Sequence, residues 1–239
     1  MPILEGERVT RYFGGLAALL DVDFYVQEGE VLGLIGPNGA GKTTLFNVIS
    51  AALAPMSGSI RFRGEEITGL KPYEICRRGI GRTFQTIKIF PDMTVMDNVV
   101  LGAFFGTSGK VTREEAVGRA LEDVEFVGLL SVKDVLARDL TLANQKRLEV
   151  ARALATAPEV LLLDEIMEGL NPTEVERAME LVRRIQSKGV TVIMIEHVMQ
   201  AIMNVCGRIV VLHHGQKIAE GSPEEISLSK KVIEVYLGE

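Results

Sequence analysis

The 239-residue sequence predicts an α/β fold with a parallel-sheet core, an antiparallel β layer beside it and an inserted α-helical lobe. Three patterns predict it. Continuous apolar runs at Val31-Leu32-Gly33-Leu34-Ile35, Val160-Leu161-Leu162-Leu163 and Gly189 to Ile195 suit strands covered on both faces. Residues 173–187 between the last two runs read as a helix, and strand–helix–strand implies parallel pairing. Residues 113–130 place Ala116, Ala120, Leu121, Val124 and Val127 at helical spacing, with Glu and Arg between them.

The remaining elements follow in order. Gly6 to Thr10 and Asp21 to Val26 alternate like strands, and Gly58 to Gly64 is a third short strand between turn signals; together they form the antiparallel layer. The run at 31–35 is a buried strand, and an amphipathic helix starts at Thr44. From about Lys71 to Ala157 the texture is helical, with a helix over 148–154 that ends before Pro158. Arg208 to Gly221 reads as a hairpin around His214-Gly215, with both histidines exposed, followed by a short helix from Pro223. The expected division is a core of residues 1–70 and 158–239 and a helical lobe of residues 71–157 within a single domain.

Composition narrows the function. With 47% hydrophobic residues the chain can bury a large core. A net charge of −6, with basic residues scattered, gives no nucleic-acid surface. Cys76 and Cys206 form no C-x-x-C pair, which suggests a reducing compartment. Residues 1–7 carry no basic segment followed by an apolar one. No apolar run approaches the roughly 18 residues that span a bilayer. The expectation is a soluble protein that meets a membrane only through a partner.

Residues 36–44, Gly36-Pro37-Asn38-Gly39-Ala40-Gly41-Lys42-Thr43-Thr44, fit G-x-x-x-x-G-K-[ST], the phosphate-binding P-loop. Strand before and helix after are the context the motif needs. Backbone N–H groups close around phosphate oxygens at the positive end of a helix. Lys42 reaches the terminal phosphates and Thr43 offers a hydroxyl to Mg²⁺. Asp164 and Glu165 end an apolar strand, where an open α/β sheet binds ligands. Asp164 can hold Mg²⁺ through water, and Glu165 can polarise an attacking water. His197 leaves the next strand at the same sheet edge, within reach of a γ-phosphate. Gln85 can ligate Mg²⁺ at the entry to the lobe. Phe13 can stack on adenine, with Tyr12 a competing candidate.

With these parts in order, the chain resembles the ATP-binding subunits of ABC transporters over nearly its whole length. Within them it most resembles the ATPases of branched-chain amino-acid importers. The residues that carry this are Tyr12-Phe13-Gly14-Gly15-Leu16, Gly81-Arg82-Thr83-Phe84-Gln85, Phe90-Pro91-Asp92-Met93-Thr94-Val95, Gly169-Leu170-Asn171-Pro172 and Tyr236-Leu237-Gly238-Glu239. The resemblance implies a P-loop NTPase (RecA-like) core with the ABC ATPase helical lobe, and ATP and Mg²⁺ as cofactors. It implies a head-to-tail pair with a second ATP-binding subunit, seated under transmembrane permease subunits at the cytoplasmic face of the membrane. A substrate-binding protein outside the membrane is an indirect partner. Glu165 becomes the catalytic base and His197 a switch residue. Asn171 falls in the D-loop, which crosses to the partner.

The sequence departs from that pattern in two places. The signature, nominally Leu-Ser-Gly-Gly-Gln, falls on Leu140-Thr141-Leu142-Ala143-Asn144. Thr141 keeps a hydroxyl for the partner's γ-phosphate. Ala143 replaces a glycine, and its methyl can push that phosphate away or fail outright if φ must be positive. Ile166 stands where the family has proline. Lys42, Thr43, Gln85, Asp164, Glu165 and His197 are intact, so any loss falls on what the chain offers a partner's ATP. A heterodimer with one stronger site is therefore expected. Export of lipid or lipopolysaccharide and a binding-only cassette are the competing functions. A soluble ATPase of DNA repair or translation is disfavoured by the single cassette and the lack of a heptad run.

Overall fold

A computed structural model describes residues 1–106, 109 and 111–237. Gly238 and Glu239, the end of the family-like C-terminal tetrad, lie outside the described residues.

Two sheets form the body. One is antiparallel with order β2-β1-β4-β5, built from β1 (Pro2–Phe13), β2 (Leu16–Gln27), β4 (Ser57–Phe62) and β5 (Glu65–Glu66). The other has order β10-β9-β3-β8-β7-β6. Its strands are β3 (Val31–Ile35), β6 (Ile80–Arg82), β7 (Val160–Asp164), β8 (Thr191–Ile195), β9 (Arg208–His213) and β10 (Gln216–Gly221). All its pairings are parallel except β9–β10. Residues in β3, β7 and β8 are all buried, as the continuous apolar runs require.

Alternation along each strand feeds two cores. Leu32, Leu34, Leu162, Ile193 and Ile195 face α1 (Lys42–Ile49) and the antiparallel sheet. Val31, Ile35, Leu161, Leu163, Val192 and Met194 face the helices on the other side. Those are α3 (Val95–Phe105), α4 (Arg113–Phe126), α5 (Leu142–Leu154), α6 (Pro172–Ser187) and α7 (Met199–Val205). The remaining helices are α2 (Pro72–Arg77), which leads into β6, and α8 (Pro223–Leu228) and α9 (Lys230–Leu237), which pack on β10.

Local chemistry sets the boundaries. Asn171 caps α6: its side chain accepts from Glu174 N at 3.0 Å while Glu174 accepts from Asn171 N, and Pro172 opens the helix. Thr141 caps α5, which begins six residues before the predicted helix and so carries the signature residues in its first turn.

Two expectations need correction. The span 71–157 is not wholly a helical lobe, because β6 pairs in parallel with β7 at the edge of the main sheet. The strand is only three residues long and contains Gly81, too short for its period to show. His213 is also half-buried at the end of β9, where its ring lies 4.0 Å from that of exposed His214.

Candidate functional site

The site gathers at the C-terminal ends of β3, β7 and β8. The strand order turns at β3, whose neighbours β9 and β8 lie on opposite sides, and the P-loop leaves β3 at that crevice. The loop's glycines are needed sterically. A Cβ on Gly36, at φ 149°, would lie 2.1 Å from the Leu212 carbonyl oxygen. One on Gly41, at φ 106°, would lie 2.3 Å from the Ala18 carbonyl oxygen. Gly41 is the N-cap of α1, with no side-chain cap and no acid in the first turn. The first N–H groups of α1 therefore stay free for an anion. Thr43 is exposed and Thr44 half-buried in this turn; Asn38 and Gly39 form the exposed crest and Ala40 is buried beneath it.

Lys42 folds back into this cradle. Its Nζ donates to the carbonyls of Gly36 at 2.7 Å and Pro37 at 3.1 Å. Burial lowers its pKa, while the nearby charges of Glu165 and Asp164 act the other way. The ammonium thus occupies a phosphate-shaped nest and faces both carboxylates.

Three predicted residues meet at one carboxylate. Gln85 Nε2 donates to Glu165 Oε2 at 2.9 Å, and His197 Nε2 lies 2.9 Å from Glu165 Oε1. Glu165 is 4% exposed and has φ 53°, the left-handed region that side chains with a Cβ seldom adopt. Asp164, 1% exposed, accepts from Arg82 Nη2 at 3.0 Å on Oδ2, while its Oδ1 has no partner. Burial raises the Asp164 pKa, and Arg82 opposes the rise.

Phe13 is half exposed at the end of β1, with the Arg11 guanidinium 5.4 Å from its ring centroid; Tyr12 is more buried. Thr141 and Ala143 stand apart at the start of α5. The Thr141 hydroxyl accepts from Asn144 N, and Ala143, 8% exposed, lines a crevice with Lys146, Ile166 and Leu170. Ala143 lies in regular helix, so the feared positive-φ penalty does not arise. Its burial also leaves little methyl to face a partner.

Sequence reasoning missed Arg82, Lys146 and Glu196. Arg82 bonds Asn47 and Ser50 of the P-loop helix side as well as Asp164, and stacks between Phe46 and Phe84. Its signal was a charge three residues before Gln85. Lys146 falls on the buried stripe of α5 with Ala143 and Val150, which a helical-face count could have found.

Comparisons with known proteins show the family and the fold. Residues 19–168 match the model of the ABC transporter family. The chain belongs to that family. Residues 216–239 also match the model described as branched-chain amino acid ATP-binding cassette transporter. The chain is 39% identical to the high-affinity branched-chain amino acid transport ATP-binding protein BraF of Pseudomonas aeruginosa, over 100% of this chain and 98% of that one. It is 38% identical, with the same coverage, to LivG of Escherichia coli, which bears the same description. Among solved structures, a nucleotide-free ATP-binding cassette from an ABC transporter superposes with a TM-score of 0.92 at 34% identity, covering 100% of both chains. The ADP conformation of MJ1267, an ATP-binding cassette of an ABC transporter, gives 0.91 at 34% identity, again over 100% of both. This ABC cassette is thus an ATP-binding, ATP-hydrolysing subunit with the expected α/β fold.

Proposed function

We propose that this cassette drives a membrane importer of branched-chain or related small amino acids, with Glu165 as the base that activates the attacking water. The observation that carries the chemistry is the Glu165 carboxylate held between Gln85 and His197 beside the P-loop. A carboxylate so oriented at a strand end can take a proton from water aimed at a γ-phosphate. Lys42 would leave the Gly36 and Pro37 carbonyls for the phosphates, and the N–H groups of the P-loop would cradle them. Phe13 would stack on the adenine.

The residues fit Mg²⁺. The unpartnered, buried Asp164 Oδ1 lies on the same sheet edge as the Thr43 hydroxyl and Gln85. Mg²⁺ bound with nucleotide needs one or two protein carboxylates and keeps phosphate oxygens and waters for the rest. Bound there, the ion would neutralise charge on the phosphates.

The substrate reading is supported by the relatives named as branched-chain amino-acid transport proteins and by the C-terminal match. A second cassette and permease subunits complete the assembly. A dimeric cassette in a post-hydrolysis state, similar at a TM-score of 0.83 and 28% identity over 92% of this chain and 98% of that one, supports pairing. Among the described residues no helix is long and apolar enough to cross a membrane, so a separate permease would hold the cassette there. A cavity of about 250 Å³, lined by Ile75, Cys76, Arg82, Phe84 and Thr156 where β6 meets the lobe, offers a permease segment a seat one residue from Gln85.

The test is uptake of radiolabelled leucine by host cells lacking this chain. Wild type should restore uptake and Glu165→Gln should not. Undiminished uptake of leucine, isoleucine and valine in the deletion strain would remove the importer reading.

A further inference from the structure

Two buried ionisable side chains grip the backbone around Glu165, and neither belongs to the nucleotide site itself. Lys146, 7% exposed in the second turn of α5, donates from Nζ to the Glu165 carbonyl at 2.6 Å. Glu196, 3% exposed at the exit of β8, accepts from Met167 N at 2.8 Å. Glu165 N donates in turn to the Ile195 carbonyl at 2.9 Å. The turn 165–167 is therefore held at successive peptide units, and it needs holding, because Glu165 sits at φ 53°.

This clamp suits a chain with Ile166 in place of proline. A proline there would fix its own φ and have no N–H to offer. With isoleucine the turn is freer, and the bonds at Glu165 N, the Glu165 carbonyl and Met167 N supply the restraint. Lys146 also comes from the helix whose first turn bears Thr141 and Ala143. That end of α5 touches the segment after Glu165 again: a Cβ on Gly169 would lie 3.0 Å from Leu142 Cδ2.

We propose that Lys146 is a positioning residue that ties the signature helix α5 to the backbone of Glu165. Engagement of α5 by a second cassette thereby sets the carboxylate in this chain's own site. The proposal rests on the reading of Glu165 as base. A buried ammonium–carbonyl bond transmits displacement because neither partner can be replaced by water without cost. A reacting group displaced by about 1 Å can lose about a hundredfold in rate.

The experiment compares full-length wild type, Lys146→Met, Lys146→Arg and Glu165→Gln by hydrogen exchange and by steady-state ATPase kinetics. Lys146→Met should speed exchange of the Ile166 and Met167 amides while β8 is unchanged. It should lower kcat about tenfold to a hundredfold and leave the KM for ATP within about twofold. Lys146→Arg, which keeps a charged donor, should recover most of both. If Lys146→Met precipitates, Lys146→Gln takes its place in the same measurements. Wild-type exchange at 166–167, or wild-type kcat, overturns the proposal. So does a loss of kcat and KM together that arginine does not rescue, since that marks general unfolding. Glu165→Gln separates the two ideas. If it turns over normally, the base reading fails and exchange alone judges the clamp. If it is dead while Lys146→Met is fully active, the base stands and the clamp falls.

Discussion

Ala143→Gly would restore the family's glycine in the signature, and the structure predicts that it weakens the protein without quickening it. Ala143 is the second residue of α5 and is 8% exposed, packed beside Ile166 and Leu170. Glycine in a helix costs about 0.5–1 kcal/mol relative to alanine, and the first turn feels the lower part of that range. Removing a buried methyl costs about 0.8 kcal/mol more. The expected loss is about 1.5 kcal/mol. For a chain of this size that lowers Tm by about 3–6 °C. Thermal unfolding by calorimetry measures the first effect, and ATPase rate at saturating ATP measures the second. The rate should stay within about twofold, because backbone geometry at 143 is already helical and the methyl is turned inward. A tenfold gain in rate, or a gain in Tm, would show that the methyl blocks the partner's phosphate and that this packing argument is wrong.

Other consequences follow from the buried charges. Arg82→Met leaves Asp164 at 1% exposure without its partner and should cost about 3–5 kcal/mol in denaturant unfolding; Arg82→Met/Asp164→Asn should recover much of that loss, and simple additivity would refute the pairing. Burial raises Glu196 from 4.5 to about 7, against the favourable Met167 N–H and the Lys146 charge, with Glu165 adding to the rise. The folded state then binds the extra proton between those values, so stability from this group is full below pH 4.5 and is lost as pH rises through about 7. Relative to wild type, Glu196→Gln should gain up to about 3 kcal/mol between pH 5 and 8, read from unfolding curves at each pH; parallel curves would contradict it. The Cys206 thiol, 6% exposed and pushed up to about 12, should resist alkylation until the protein unfolds, as counted by mass spectrometry.

Much of this was legible because phosphate chemistry constrains short, contiguous segments. The P-loop, the Asp164-Glu165 strand end and His197 each follow a run of apolar residues whose length and turn chemistry mark them out. The parallel strands showed for the same reason. What stayed hidden depends on contacts across the sequence. β6 owes its existence to pairing with β7, nearly eighty residues later, not to its own three residues. Arg82 meets Asp164 only through that pairing. Lys146 and Glu196 owe their burial to the packing of α5 and β8 around residues 165–167. The positive φ of Glu165 has no local marker, since glycine or asparagine would be the usual residue there. For Ala143, raised by motif comparison, the helical conformation removes the positive-φ concern, and the Ala143→Gly rate tests the methyl.

The central claim is that Glu165, held by Gln85 and His197, activates the attacking water. The most direct test is the ATPase rate of the purified chain against its own concentration, with Glu165→Gln beside it and ATP binding measured for both. The account predicts a specific rate that rises with concentration as pairs form, a loss of about a hundredfold to ten-thousandfold in Glu165→Gln, and ATP binding retained. Turnover by Glu165→Gln within about twofold of wild type would contradict it.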